Sequence, residues 1–225
     1  MALGSETATF EGFRRPDGSV GVRNAVLILG INGLVTRAAE RIAQGVRDTV
    51  LAATPYGRGQ FGPDRRAHDD QLVGLGRNPN AAATLVVGAD RKTAEAIAAA
   101  IAIAGKPVEV VTLDDVHEDA VALVAAGIRA AARLVRDASR LHRERVPASA
   151  LFLGVECGHS DATSGLVANP LVGRVVDTVV DSGGRAVFGE TIEWLGAEHL
   201  LARRAVTAEV AWGGHNHLPP SLRLS

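Results

Sequence analysis

At 225 residues and 47% hydrophobic side chains, the chain can build one sizeable core or two small ones, and with only 4% aromatics that core must come from Ala, Val, Leu and Ile. Charge is balanced, 24 Lys and Arg against 25 Asp and Glu, and no basic stripe interleaved with aromatics appears, so nucleic acid is not an expected partner. The single cysteine, Cys157, excludes an intrachain disulfide and a CxxC zinc site; with no apolar run of ~18 residues and no signal-peptide pattern, a cytoplasmic protein with no membrane partner is expected.

Short apolar runs alternate with Ala-rich stretches at helical spacing. Strands are expected at Ala25–Gly30, Thr49–Thr54, Thr84–Gly88, Val108–Leu113, Ala150–Val155 and Arg185–Gly189. Their near-continuous Val, Leu, Ile and Ala is the pattern of parallel strands covered on both faces. Helices are expected at Val35–Val46, Asp64–Leu75, Thr93–Ala104, Glu118–Leu141, Pro170–Ser182 and Ala197–Ala208. Gly105 and Pro107 close the third helix. Asn169-Pro170 reads as an N-cap followed by proline at the first helical position, and Gly183-Gly184 ends that helix. The alternation predicts an α/β fold: a three-layer, mostly parallel sheet with helices on both faces. The chain divides on this reading into an N-terminal extension (1–24), an α/β N-terminal half (25–145), an α/β C-terminal half (146–210) and an irregular tail (211–225), with Leu141–Pro147 as the candidate seam.

Loops at the carboxyl ends of such strands are where open α/β sheets place ligands. Four qualify: Thr54–Gly62, Gly88–Lys92, Glu156–Ser164 and Glu190–Glu193. The third holds Glu156, Cys157, His159, Ser160, Asp161, Thr163 and Ser164. Cys157, His159 and Asp161 alternate, and in an extended segment alternate side chains share a side. They would then converge as metal ligands, or as a base with its orienting partner. The plainer reading makes Cys157 a small buried hydrophobe and has Ser160, Asp161 and Ser164 satisfy loop amides and cap a turn. Glu198 and His199 are neighbours on one helix and point about 100° apart, too far to serve one site. The plainer role for Glu198 is at that helix's N-terminus, where a carboxylate is favoured.

Gly57-Arg58-Gly59-Gln60-Phe61-Gly62 is a literal GxGxxG between a strand and a helix, so a nucleotide-binding enzyme is one reading. The fingerprint normally follows the first strand of its sheet, and here it follows the second. The glycines would otherwise let the backbone approach a small anionic substrate, with Arg58 as the carboxylate clamp.

The run Gly154–Pro170, GVECGHSDATSGLVANP, resembles the ECGGSDxxSGxxANP signature of the altronate and galactarate dehydratase family, sugar-acid hydro-lyases grouped with sulfolactate sulfo-lyase large subunits. Glu190-Thr191 followed by Trp194-Leu195-Gly196-Ala197-Glu198-His199-Leu200-Leu201-Ala202-Arg203-Arg204-Ala205 is similar to the family's SETPExxGAEHLLxRRA. Gly12–Gly18 with Gly21-Val22-Arg23-Asn24 is similar to its opening GYxRxDGRxGVRN. The likeness runs from about Phe10 to about Val210.

The resemblance implies a metal-dependent lyase, a dehydratase acting on an aldonate or aldarate, or a domain or subunit of one. Its cofactor would be a divalent metal, Fe2+, Mn2+, Mg2+ or Ca2+. His159 and Glu156 would be base candidates, with Asp161 beside them in the catalytic set. Cys157, Asp161 and Glu190 would be metal candidates, and Arg58, Ser160, Ser164 and Asn169 substrate contacts. The family carries a further large segment after the GAEHLL motif. The expectation is thus a truncated gene product, a separated domain or one half of a split enzyme, working as a homo-oligomer or with a chain that supplies the missing segment.

Three departures bear on this. Tyr56-Gly57-Arg58-Gly59-Gln60 stands where many members carry His and then Gly-Cys-Gly. Ala89-Asp90-Arg91 stands for Gly-Cys-Glu, and Cys157-Gly158-His159-Ser160-Asp161 for CGGSD. Two candidate ligand cysteines are gone and a histidine is added, which would favour a harder metal over soft iron. The competing reading is a non-catalytic or partner-dependent binding and assembly domain of the same fold.

Overall fold

The computed structural model describes residues 8–190 and 195–211. The chain forms two compact units, Met1–Ala150 and Leu151–Ser225.

The first unit is built on four parallel strands, β3 (Ala25–Gly30), β4 (Thr49–Ala53), β5 (Ala81–Gly88) and β6 (Val108–Thr112), in the order β4-β3-β5-β6. In β5 all eight residues are buried, whereas the edge strand β4 leaves Val50 and Leu51 exposed. Burial on both faces is why β3 and β5 read as unbroken apolar runs. Helices α1 (Thr36–Gly45) and α4 (Ala120–Ala138) cover one face, where Ile42, Leu123 and Ala131 pack against Val26, Ile28, Leu85 and Val87. Helices α2 (Gly62–Arg77) and α3 (Arg91–Ala102) cover the other, where Leu72, Ile97 and Ile101 meet Leu27, Leu29 and Val86. This is the three-layer α/β arrangement that the alternation predicted. Small residues let the layers close. A Cβ on Gly127 or Gly76 would run into the side chain of Ile42 or Ile101.

Helix ends follow local chemistry. Asp90 caps α3 by accepting the Thr93 N–H, and Asp119 caps α4 through the Val121 and Ala122 N–H groups. Gly105 takes a left-handed φ of 72° just beyond α3.

A second, antiparallel sheet was not anticipated. Strand β1 (Thr9–Arg14) pairs with β2 (Val20–Gly21) on one side and with β7 (Glu144–Pro147) on the other. An ion pair between Arg14 and Glu144 and stacking of the Arg143 guanidinium on Phe13 reinforce it. Arg15, buried beside this sheet, donates to Pro79 O, Asn24 Oδ1 and Arg23 O.

The second unit, described by itself, holds two parallel strands, β8 (Phe152–Val155) and β9 (Arg185–Phe188), joined by a helical connection. The expected helix start at Asn169-Pro170 is corrected. The backbone is helical from residue 162, passes through a π-turn at Ser164–Ala168, and continues as α5 (Asn169–Asp181). Pro170 has no N–H for an ordinary helical bond, and the wider turn, closed by the Asn169 N–H on Ser164 O, lets the helix pass through it. The last helix is also shorter than Ala197–Ala208. It is α6 (Glu198–Ala202), with helix resuming at 208–211. None of the described residues from 151 to 211 is buried. Among the described residues no helix is long and apolar enough to cross a membrane.

Candidate functional site

In the first unit, the loops after β3, β4, β5 and β6 all lie at the carboxyl edge of the parallel sheet and enclose a cleft of about 630 Å³. That is a ligand-sized volume at the usual place for this topology. The floor is Ile31 and Asn32. Asn32 is only 6% exposed, and its Oδ1 accepts the Leu34 N–H to hold the turn into α1. Gly33 lies so close to the Pro55 carbonyl that a Cβ would collide with it, which ties the β3 loop to the β4 loop. Gly57, at φ 97°, packs against Ile31 O and the His68 ring.

The walls carry charge. On α2, the Arg65 Nε donates to both carboxylate oxygens of Asp69. Arg58 lies on the rim, and among the described residues it pairs with no carboxylate. The α3 cap holds the Asp90 carboxyl below its usual range, chiefly through the Thr93 backbone N–H. Asp114 accepts the Arg91 N–H. His117 and Glu118 take consecutive left-handed conformations, φ 52° and 64°, and the second lines the cleft. The Gln60 Oε1 is shielded from solvent and accepts no hydrogen bond from the described residues.

The loops expected at Thr54–Gly62 and Gly88–Lys92 thus meet in one cleft. Asn32 was missed because its loop, Ile31-Asn32-Gly33-Leu34, is otherwise apolar. Asp114 was missed although its loop is rich in carboxylates, because that loop after β6 was not counted among those facing the crevice, and His68 because its side chain reaches in from mid-helix. The GxGxxG loop follows the edge strand β4. The place of a pyrophosphate loop, after the first strand, is occupied by Ile31-Asn32-Gly33-Leu34.

In the second unit, the Glu156–Ser164 loop leaves the carboxyl end of β8 beside that of β9. Glu156 accepts the Cys157 N–H at 3.2 Å, and its carboxylate lies so near Gly189 that a Cβ there would come within 2.6 Å of Oε2. Glycine at 189 therefore makes room for Glu156 at the shared end of the two strands. Glu190 follows in a left-handed conformation, φ 59°. Cys157 is exposed, not a small buried hydrophobe, and its Sγ lies 3.9 Å from Ser160 Oγ.

Asp161 is a helix cap. Its Oδ1 accepts from the Thr163 hydroxyl (2.6 Å), the Thr163 N–H (2.7 Å) and the Ser164 N–H (3.1 Å). The Ser164 Oγ accepts the Asp161 N–H in return and donates to His159 O. This reciprocal box explains the spacing of Asp161 and Ser164. It also holds the Asp161 carboxyl below its usual range, first through the Thr163 hydroxyl. Asn169 lies within the helical run, eight positions beyond Asp161 in sequence, with its side chain exposed. Glu193 lies outside the described residues.

Among the described residues, no three His, Cys, Asp or Glu side chains come together as metal ligands. The alternation of Cys157, His159 and Asp161 is not carried by an extended segment, because Asp161 already turns into the helix. The donors in this loop do not by themselves make a fitted metal site.

Together these features define an α/β protein with a ligand-sized cleft at one sheet edge and a carboxylate-bearing loop on its second unit. Residues 12–139 match the family model described as D-galactarate dehydratase/altronate hydrolase, second domain, and residues 148–215 match D-galactarate/altronate dehydratase, C-terminal. The chain belongs to the D-galactarate dehydratase/altronate hydrolase family. It is 40% identical over 202 residues to (2R)-sulfolactate sulfo-lyase subunit beta of Chromohalobacter salexigens, a match covering 90% of this chain and 51% of that one. It is 34% identical over 219 residues to altronate dehydratase of Bacillus subtilis (92% and 43%). To the L-threo-forming galactarate dehydratase of Escherichia coli it is 31% identical over 231 residues (91% and 43%). The chain spans about half the length of these curated relatives, or somewhat less.

Proposed function

We propose that this chain is part of a lyase that eliminates a leaving group from the carbon next to the hydroxyl-bearing α-carbon of a hydroxy acid, with a sugar acid as substrate and water as the leaving group. The observation that carries the reading is the match of both units to dehydratase domain models, with the Glu156–Ser164 loop placed at paired strand ends. A base takes the proton from the carbon bearing the carboxylate. The electron pair passes into an enediolate and then expels the hydroxyl from the neighbouring carbon, which takes up a proton and leaves as water. The resulting enol becomes a 2-keto acid. Glu156, pinned at the strand ends, is the base we favour, and His159 stands three residues on as the acid. Ser160 and Ser164 are substrate contacts in the notional complex, although Ser164 also closes the Asp161 cap.

Such a carbon acid is weak, and the reaction needs a site from which water is excluded. The loop is exposed in the chain as described, so a covering surface belongs to the proposal, whether a second copy or a further polypeptide. A divalent metal belongs to it also, for which Cys157, Asp161 and Glu190 would be the donors, although the described residues present no fitted site. A partner-dependent or non-catalytic assembly role remains the second reading, favoured by the absence of any buried residue in the described part of the second unit.

The test is 2-keto acid release from altronate and galactarate, and sulfite release from sulfolactate, with Glu156→Gln beside the parent chain. Turnover of one of the three, cut about 10²-fold or more in the variant, is expected. Equal turnover removes Glu156 as the base, and no turnover of any acid by the parent chain in its native assembly removes the lyase reading. Elemental analysis of the parent and of Asp161→Asn decides the metal. Asparagine keeps the cap acceptor and drops the charge. About one divalent ion per chain that is lost in the variant would support Asp161 as a ligand, and equal content would exclude it.

A further inference from the structure

In the first unit β4 forms one outer edge of the parallel sheet, and among the described residues no strand lies beyond it. The other outer strands of this unit are guarded against further pairing. β6 carries Glu109, ion-paired to Arg133. β7 reads Glu144-Arg145-Val146-Pro147, and β2 is two residues long. β4 reads Thr49-Val50-Leu51-Ala52-Ala53, with no charge, proline or bulge, and it leaves Val50 53% and Leu51 39% exposed.

The backbone of β4 faces two ways. Asp48 O accepts the Val26 N–H, and the Thr54 N–H donates to Gly30 O. In this parallel ladder the even-numbered residues of 48–54 therefore turn their amide groups to β3. The N–H and C=O of Thr49, Leu51 and Ala53 face away from the sheet. These are six ladder groups, placed symmetrically about Leu51, with no strand partner among the described residues.

A second copy of the same strand is the complement that this symmetry calls for. Run antiparallel about a two-fold axis at Leu51, it sets Leu51 opposite the partner's Leu51 and Thr49 opposite the partner's Ala53. Each such pair exchanges two hydrogen bonds, so every outward group on both strands is used. Between these pairs Val50 meets the partner's Ala52, large against small, and no charged side chain lies within the paired segment. An open groove of about 750 Å³ adjoins the strand, lined in part by Leu27, Val50, Ala52 and Leu75, and leaves room for the partner's side chains. At about one hydrogen bond per 100–200 Å², six bonds accompany roughly 600–1,200 Å² of buried surface, the range of a reversible dimer.

We infer that β4 is a dimerisation edge. A second copy of this chain pairs antiparallel with it through Thr49–Ala53 and joins two four-stranded sheets into one continuous sheet. The two carboxyl edges then point in opposite directions, so each copy keeps its own cleft. The pairing is independent of the lyase reading above.

The experiment is sedimentation velocity of the full chain at about 1–300 μM, with amide hydrogen exchange followed by NMR. A monomer–dimer equilibrium with no larger species is expected. Leu51→Lys sets two ammonium groups against each other at the axis and should weaken the dimer about tenfold or more. In the dimer the amides of Thr49, Leu51 and Ala53 should exchange about tenfold or more slowly than in the monomer or in that variant. Those of Val50 and Ala52, already bonded to β3, should change far less. Leu51→Cys in a Cys157→Ser background should form an interchain disulfide under mild oxidation, since Cα atoms about 5.5 Å apart suit one. Ile103→Cys, at a residue 75% exposed elsewhere in the same unit, should not. Should Leu51→Lys fail to fold, exchange in the parent chain and the disulfide decide. A chain that stays monomeric throughout would overturn the proposal, as would a dimer in which the three amides gain no protection. Protection of the three in a monomer would assign the edge to another segment of the same chain. Species that grow beyond the dimer would show a contact that does not close, and either result overturns the pairing.

Discussion

Leu85→Ala should lower the unfolding free energy by about 3–4 kcal/mol. Leu85 is fully buried in the central strand β5, enclosed by Ile42, Leu123 and Ala131 from the two helices on its face. Truncation removes the transfer energy of the missing carbons and leaves a cavity. The surrounding helices cannot close it readily, because Gly127 already brings α4 against Ile42. Urea unfolding followed by far-UV circular dichroism is the measurement, since both tryptophans, Trp194 and Trp212, belong to the second unit. Leu166→Ala, at a residue 80% exposed on the π-turn, should change stability by no more than about 0.5 kcal/mol. A loss below about 1 kcal/mol at Leu85 would mean that the sheet does not pack as described.

Stability should also rise between about pH 8 and pH 10.5 through Lys106. This lysine is only 5% exposed, and its Nζ donates to Asn78 O and Ala81 O at the amino edge of the sheet, away from the cleft. Burial, then the nearby Arg15 guanidinium, pushes its pKa down from 10.5 to about 8, with Asp17 opposing. Below pH 8 both folded and unfolded chains carry the proton, and the folded chain bears the penalty of a buried charge. Between the two values the unfolded chain holds more protons, so stability increases with pH. The full shift corresponds to a ceiling of about 3 kcal/mol, and about 1–2 kcal/mol after allowance for solvent screening. The check is the difference in unfolding free energy between the parent and Lys106→Met at pH 7.5 and pH 10.5. It should move in favour of the parent as pH rises. A difference independent of pH would mean that Lys106 titrates normally in the folded chain.

Local pattern was a good guide wherever one element's own burial decided its form. The apolar runs at 25–30 and 84–88 are strands because both of their faces are covered. Gly105 ends α3 because only a left-handed residue fits there. It was a poor guide where the partner is distant. Thr9–Arg14, TFEGFR, is polar and interrupted by glycine, and it becomes a strand only by pairing with Glu144–Pro147 more than 130 residues away. Asn169-Pro170 looked like a helix start because proline suits a first turn. Asp161 and Ser164 had already opened the helix with a reciprocal cap, and a π-turn carries it past the proline.

The same division runs through the candidate sites. The three-layer class, the loops at strand carboxyl ends and the family were legible in residue order alone, because they depend on short-range periodicity and local motifs. Which groups meet depends on the packing of distant elements. It joined Arg58 and Gln60 to Asp90, and to the unforeseen Asn32, Asp114 and Glu118, because four loops converge at one sheet edge. Asp161 turns toward its own helix, because nearby backbone N–H groups offer that carboxylate closer partners than any distant ligand set among the described residues.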